Sequence, residues 1–182
     1  MENLTCECGG CGPMLWYDDT RDVLIRNVTT NRTLNGLQVV AATLAAVPSP
    51  APQNVTFENI RIIHPFYRAL DLNAFNWSTS SSSGHGGSAI APTYQLHGVD
   101  PTDGASGIVF RNIVGTDVVS AGHFFCAAAS PCSNISLDRV VLRNAAGQPS
   151  SGYGCSGVNG GGVRFVESTP ASCAQGEAGQ LR

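Results

Sequence analysis

The sequence predicts an all-β chain, a right-handed parallel β-helix of about four rungs closed by a C-terminal cap. Three observations carry this. One strand pattern recurs four times, as DVLIRNVT (22–29), NVTFENIRI (54–62), GIVFRNIVG (107–115) and NISLDRVVL (134–142). Short second strands, NGLQVV (35–40), RALDL (68–72) and GHFFC (122–126), follow three of the copies at similar distances. No segment shows helical periodicity, and charged residues are only 13% of the chain, against roughly 25% in an average soluble domain.

Within each copy the large apolar residues fall at i, i+2 and i+5: Val23, Ile25, Val28; Val55, Phe57, Ile60; Ile108, Phe110, Ile113; Ile135, Leu137, Val140. The first two alternate as on a strand, and the jump to i+5 marks a bend or bulge after which the chain re-enters the core. Asn27, Asn59, Asn112 and then Arg139 precede that bend, so the three asparagines are expected to stack as a hydrogen-bonded ladder. The copies start 32, 53 and 27 residues apart, a spacing typical of stacked repeats. The longest interval holds a Ser/Gly-rich stretch, 76–106, which reads as an outward loop. Residues 147–182, also Gly/Ser-rich, read as the cap, and 1–182 as one domain. An immunoglobulin-like sandwich is the competing all-β fold, but it does not call for near-identical repeats.

A formal charge of −3 and the lack of any basic run argue against nucleic acid or a membrane surface as partner. No apolar run approaches the ~20 residues of a membrane span, and the opening residues lack the pattern of a secretory signal. Seven cysteines point to an oxidising compartment. The CECGGC stretch is one ligand short of a zinc site, so neither a metal nor a cofactor is expected. Six Asn-x-Ser/Thr sequons occur, several of them created by the repeat itself. Asn76 and Asn54 are the glycosylation candidates.

The segment C126-AAASPC132-SNISLDRVVL, the later pair Cys155 and Cys173, and NVTFENIRI followed by HPFYRALDLNAF resemble the C-terminal part of polygalacturonase-type pectinases, glycoside hydrolase family 28. The resemblance covers most of residues 5–173 and about the last third of a family member. It implies a parallel β-helix, hydrolysis of pectin or a related cell-wall polysaccharide, an extracellular or wall setting, and disulfide candidates Cys126, Cys132, Cys155 and Cys173.

Inverting hydrolysis needs one carboxyl group to protonate the leaving oxygen and another to activate water, ~6.5–9.5 Å apart. The family's aspartates lie upstream of a Gly-His-Gly segment whose nearest match here is CGGCGPML (8–15), with Cys11 at the His position. Asp18 and Asp19 follow that match instead of preceding it and read as a solvated turn. In NGLQVV, Gln38 and Val40 stand where the resemblance implies an Arg and a Lys that grip the uronate. The chain has no Lys at all. No catalytic residue is therefore assigned. Gln38, Asp71 and Asn73 are the candidate substrate contacts, with Asp71 and Asn73 expected to be solvated. His64, His85, His97 and His123 show no pattern that suggests a relay. The expected partners are a polysaccharide and, through an uncapped first rung, a second copy of the chain.

Overall fold

In the computed structural model, residues 2–7, 12–16, 20–40, 51–74, 104–126, 131–158 and 162–175 are described. They form twelve strands and, among the described residues, no helix: β1 (Glu2–Glu7), β2 (Met14–Trp16), β3 (Arg21–Asn31), β4 (Asn35–Val40), β5 (Gln53–Ile63), β6 (Arg68–Ala74), β7 (Ser106–Thr116), β8 (Ser120–Cys126), β9 (Ile135–Leu142), β10 (Ser151–Ser156), β11 (Val163–Val166) and β12 (Cys173–Gln175). The odd strands make one sheet, in the order β1-β3-β5-β7-β9-β11, and the even strands another, β2-β4-β6-β8-β10-β12. Every pairing between named strands is parallel. That excludes the immunoglobulin-like alternative, whose sheets are antiparallel. Each sheet has six strands where the repeats in the sequence suggest four. Residues 147–182 supply β10, β11 and β12, which extend both sheets.

The i, i+2, i+5 pattern has a backbone cause. Three residues in each of the first three repeats take the left-handed conformation, five positions apart: Asp22, Asn27 and Arg32 on β3 and its end, then Asn54, Asn59 and His64, then Gly107, Asn112 and Asp117; the fourth has two, Asn134 and Arg139. A left-handed residue breaks the alternation of a strand, so the chain bends there and the next apolar residue points inward again. Asn and Asp tolerate this conformation better than other L-residues, and Gly107 suits it with a φ of +66°. The middle position carries the expected ladder. The Asn59 Nδ2 donates to Asn27 Oδ1 at 3.2 Å, and the Asn112 Nδ2 donates to Asn59 Oδ1 at 3.1 Å. A second rung-to-rung bond joins the first position, where Asn54 Nδ2 donates to Asp22 Oδ1 at 3.1 Å. The Asn54 sequon is therefore part of the frame.

One apolar core lies between the sheets. Ile25, Val28, Val55, Phe57, Ile60, Ile108, Phe110, Ile113, Ile135, Leu137 and Val140 from the odd strands are buried in it, with Leu37, Val39, Leu70, Leu72, Phe124 and Tyr153 from the even strands. Phe57 and Phe110 stack at 5.4 Å. Phe110 meets Phe124 of the other sheet at 6.0 Å, and Phe124 stacks on Tyr153 at 5.1 Å. Burying each such side chain contributes ~1.5–3 kcal/mol. On the outer face of the odd sheet Arg26, Glu58, Arg111 and Asp138 pair in register with alternating charge. Arg111 reaches Glu58 at 3.7 Å and Asp138 at 3.3 Å, so a one-residue slip of register would break the alternation.

Two disulfides, Cys126–Cys132 and Cys155–Cys173, join the four candidate cysteines, whose pairing the sequence left open. The second ties β10 to its neighbour β12. Tyr153 is fully buried, and its hydroxyl meets no partner among the described residues; burial pushes its pKa far up. An unmatched buried hydroxyl costs about 1–3 kcal/mol. Tyr153→Phe should therefore raise the urea unfolding midpoint, by the equivalent of about 1 kcal/mol, and a lowered midpoint would reveal a hydroxyl partner.

Candidate functional site

The even strands place one outward column of side chains across successive repeats. Gln38 of β4 pairs with Asp71 of β6, Asp71 with His123 of β8, and His123 with Gly154 of β10. The inward neighbours Leu37 and Val39, and Leu70 and Leu72, are fully buried, so alternation turns Gln38 and Asp71 away from the core.

Asp71 differs from its sequence-based expectation. It is not a solvated strand residue but is buried, with 3% exposure. Gln38 Nε2 donates to its Oδ2 at 2.9 Å, and Arg68 Nη1 donates to its Oδ1 at 3.0 Å. Residues three apart on a regular strand face opposite ways, but Ala69 and Leu70 are both fully buried. That break in alternation brings Arg68 and Asp71 to one side. Burial pushes the Asp71 carboxyl above the usual aspartate range, more than the Arg68 charge and the two hydrogen bonds pull it down.

His123 lies flat against the strand beyond it. A Cβ at Gly154 would come within 2.6 Å of its Nε2, so only glycine leaves room for the ring. Its edge meets Phe125 at 4.7 Å, and its Nδ1 has no partner among the described residues. Burial, helped by the Arg68 charge, lowers its pKa from 6.5 to about 4. A histidine whose folded pKa lies below its unfolded value keeps its full contribution to stability above pH 6.5 and loses it as the pH falls toward 4. An NMR titration should find His123 neutral down to about pH 4, with His123→Gln flattening the acid limb of the stability curve. Titration near 6.5 would contradict the packing against Gly154.

Other named residues fall as follows. Val40 sits beside Gln38 on β4 and pairs with Trp16 and Asn73. The Asn73 side chain lies outside the described residues, as do Cys11, Asp18, Asp19, Asn76, His85 and His97. His64, read as showing no pattern that suggests a relay, pairs through Nδ1 with Asp117 of the next repeat. Among the described residues, no group of three or more His, Cys, Asp or Glu could hold a metal ion. Nor is any helix among them long and apolar enough to cross a membrane.

Sequence reading missed Arg68 and the role of His123. For Arg68 the available signal was the adjacent apolar pair Ala69-Leu70, which interrupts the period of two. For His123 it was the glycine at 154, legible only once the register is known. No family model matches the chain, and neither a curated protein nor a solved structure matches it.

Proposed function

We propose that the chain is a polygalacturonase-type right-handed parallel β-helix, working outside the cell or in the wall, that binds a cell-wall polysaccharide along the outer face of its even strands without cleaving it. The observation that carries the non-catalytic part is that, among the described residues, that face holds a single carboxylate. Across the six even strands the only acidic residue is Asp71, and it is occupied by Arg68 and Gln38. Acid and base roles in glycoside hydrolysis need two. Strands that alternate between two all-parallel sheets support the β-helix, and parallel crossovers are almost always right-handed. The two disulfides support an oxidising setting.

Incubation of the purified chain with polygalacturonate should release no reducing ends, while pectic or other wall polysaccharides should retard it in affinity electrophoresis. Turnover abolished by Asp71→Asn would overturn the non-catalytic reading. Failure of every wall polysaccharide to retard the chain would overturn the binding reading.

A further inference from the structure

The first left-handed position of the odd strands runs as a column through the repeats: Asp22, Asn54, Gly107 and Asn134. Pairing of Val23 with Val55, and of Val55 with Ile108, sets the first three in register. Pairing of Val109 with Ser136 places Asn134 beside Gly107. On its other side stands Gly162, because the next residue, Val163, pairs with Ile135. Asn134 is exposed and begins the sequon Asn134-Ile135-Ser136. A glycine therefore flanks this acceptor in each neighbouring repeat.

The two glycines leave the Asn134 amide unengaged. Gly107 has no side-chain oxygen to continue the bonding that joins Asn54 to Asp22, and the Asn134 side chain has no partner among the described residues. A Cβ at Gly162 would meet nothing within 4 Å among them, so space lies open beside the amide. The other sequons whose side chains are described are crowded. Asn54 Nδ2 is held by Asp22, and even a Cβ on Gly107 would come 2.7 Å from Asn54 Oδ1. Asn27 accepts from Asn59 and has β1 on its other side. Asn31 is only half-exposed, lies in register between Glu7 and Ile63, and the Thr33 of its sequon is fully buried. Ser136, the hydroxyl residue of the Asn134 sequon, lies between the buried Ile135 and Leu137, so alternation turns it outward.

From this we infer that Asn134 is an N-glycosylation site, whose Nδ2 carries an oligosaccharide at the entry to β9. The inference rests on the proposed extracellular setting, since sequons are used in secreted proteins. The donor is an oligosaccharide carried on a lipid pyrophosphate. The amide nitrogen bonds to the anomeric carbon, the bond from that carbon to the pyrophosphate oxygen breaks, and the lipid pyrophosphate leaves with the electron pair. One Nδ2 proton passes to a base of the transferase. The linkage leaves Asn134 one N–H and costs the frame no rung-to-rung bond, whereas a sugar on Asn54 has to fit between Asp22 and Gly107. Transfer precedes folding, and the packed repeats then accommodate the glycan at one position and not at the other.

Peptide mass spectrometry of the full chain, exported from a eukaryotic cell behind a secretory leader, tests this. A peptide N-glycosidase turns each occupied Asn into Asp as it releases the glycan. Conversion at Asn134 should exceed that at Asn54 at least tenfold. Ser136→Ala should abolish conversion at Asn134 and leave the urea midpoint of the glycan-free protein unchanged, because the Ser136 side chain has no partner among the described residues. A bare Asn134 in chains exported with both disulfides formed would overturn the site and leave the extracellular setting standing. Chains that stay inside the cell, or leave it with Cys126, Cys132, Cys155 and Cys173 reduced, would overturn the setting and the site together. Equal conversion at Asn54 and Asn134 would overturn the selection of Asn134 by its flanking glycines.

Discussion

Phe110→Ala is expected to destabilise the fold by about 3–5 kcal/mol, the usual cost of removing a buried phenylalanine ring. The ring is fully buried, stacks on Phe57 of the preceding odd strand and meets Phe124 of the even sheet. Its removal therefore opens a cavity where neighbouring repeats and the two sheets all touch. The parallel pairings on both sides of β7 hold the backbone in place, so the surroundings have little freedom to collapse into the gap. Urea unfolding should show a much lower midpoint with an unchanged slope, the mark of lost stability without a change in the surface exposed. A loss under about 1 kcal/mol, well below the usual range for such a site, would mean that the aromatic stack does not join the two sheets.

Asn59→Ala is expected to cost about 2–3 kcal/mol although the residue is exposed. Two effects add. Asn59 both donates to Asn27 and accepts from Asn112, and each such bond is worth about 0.5–1.5 kcal/mol, with exposure favouring the lower end. Its φ of 55° adds a steric cost of about 1–2 kcal/mol for a residue with a Cβ and no local hydrogen bond to compensate. Asn59→Gly separates the two, since glycine accepts the conformation but not the ladder, and should cost about half as much as alanine. Equal losses for both variants would show that the backbone conformation contributes nothing and the ladder everything.

The odd strands were legible because their bends recur. A left-handed residue every five positions leaves the i, i+2, i+5 imprint of apolar residues, and Asn27, Asn59 and Asn112 advertise the bend by residue type. The outer strands lacked that redundancy. The six residues of β1 (ENLTCE) offer only Leu4 as a large aliphatic anchor, and β10 (SGYGCS) has a single large apolar residue, Tyr153. Such short runs acquire their strand identity from the neighbour they pair with, not from their own pattern.

The candidate site was legible in part. Gln38 and Asp71 do come together, through a bond between residues 33 apart in sequence. What sequence could not supply was the burial of Asp71, which depends on the interrupted alternation at Ala69 and Leu70 and on Arg68 folding back across it. The His64–Asp117 pair spans 53 residues, including the whole Ser/Gly-rich stretch, so no spacing rule would have connected them. In each case a local pattern named the strand, while the register between repeats decided which side chains meet.

The outer face of the even strands is the proposed binding surface. Chemical-shift mapping probes it without relying on activity, with galactan, a soluble β-1,4-glucan and pectin oligosaccharides each titrated into isotope-labelled protein. Perturbations are expected at Gln38, Arg68, Asp71 and His123, with the odd-sheet column Arg26, Glu58, Arg111 and Asp138 silent. Perturbations confined to the odd-sheet column, or none with any of the glycans, would contradict it.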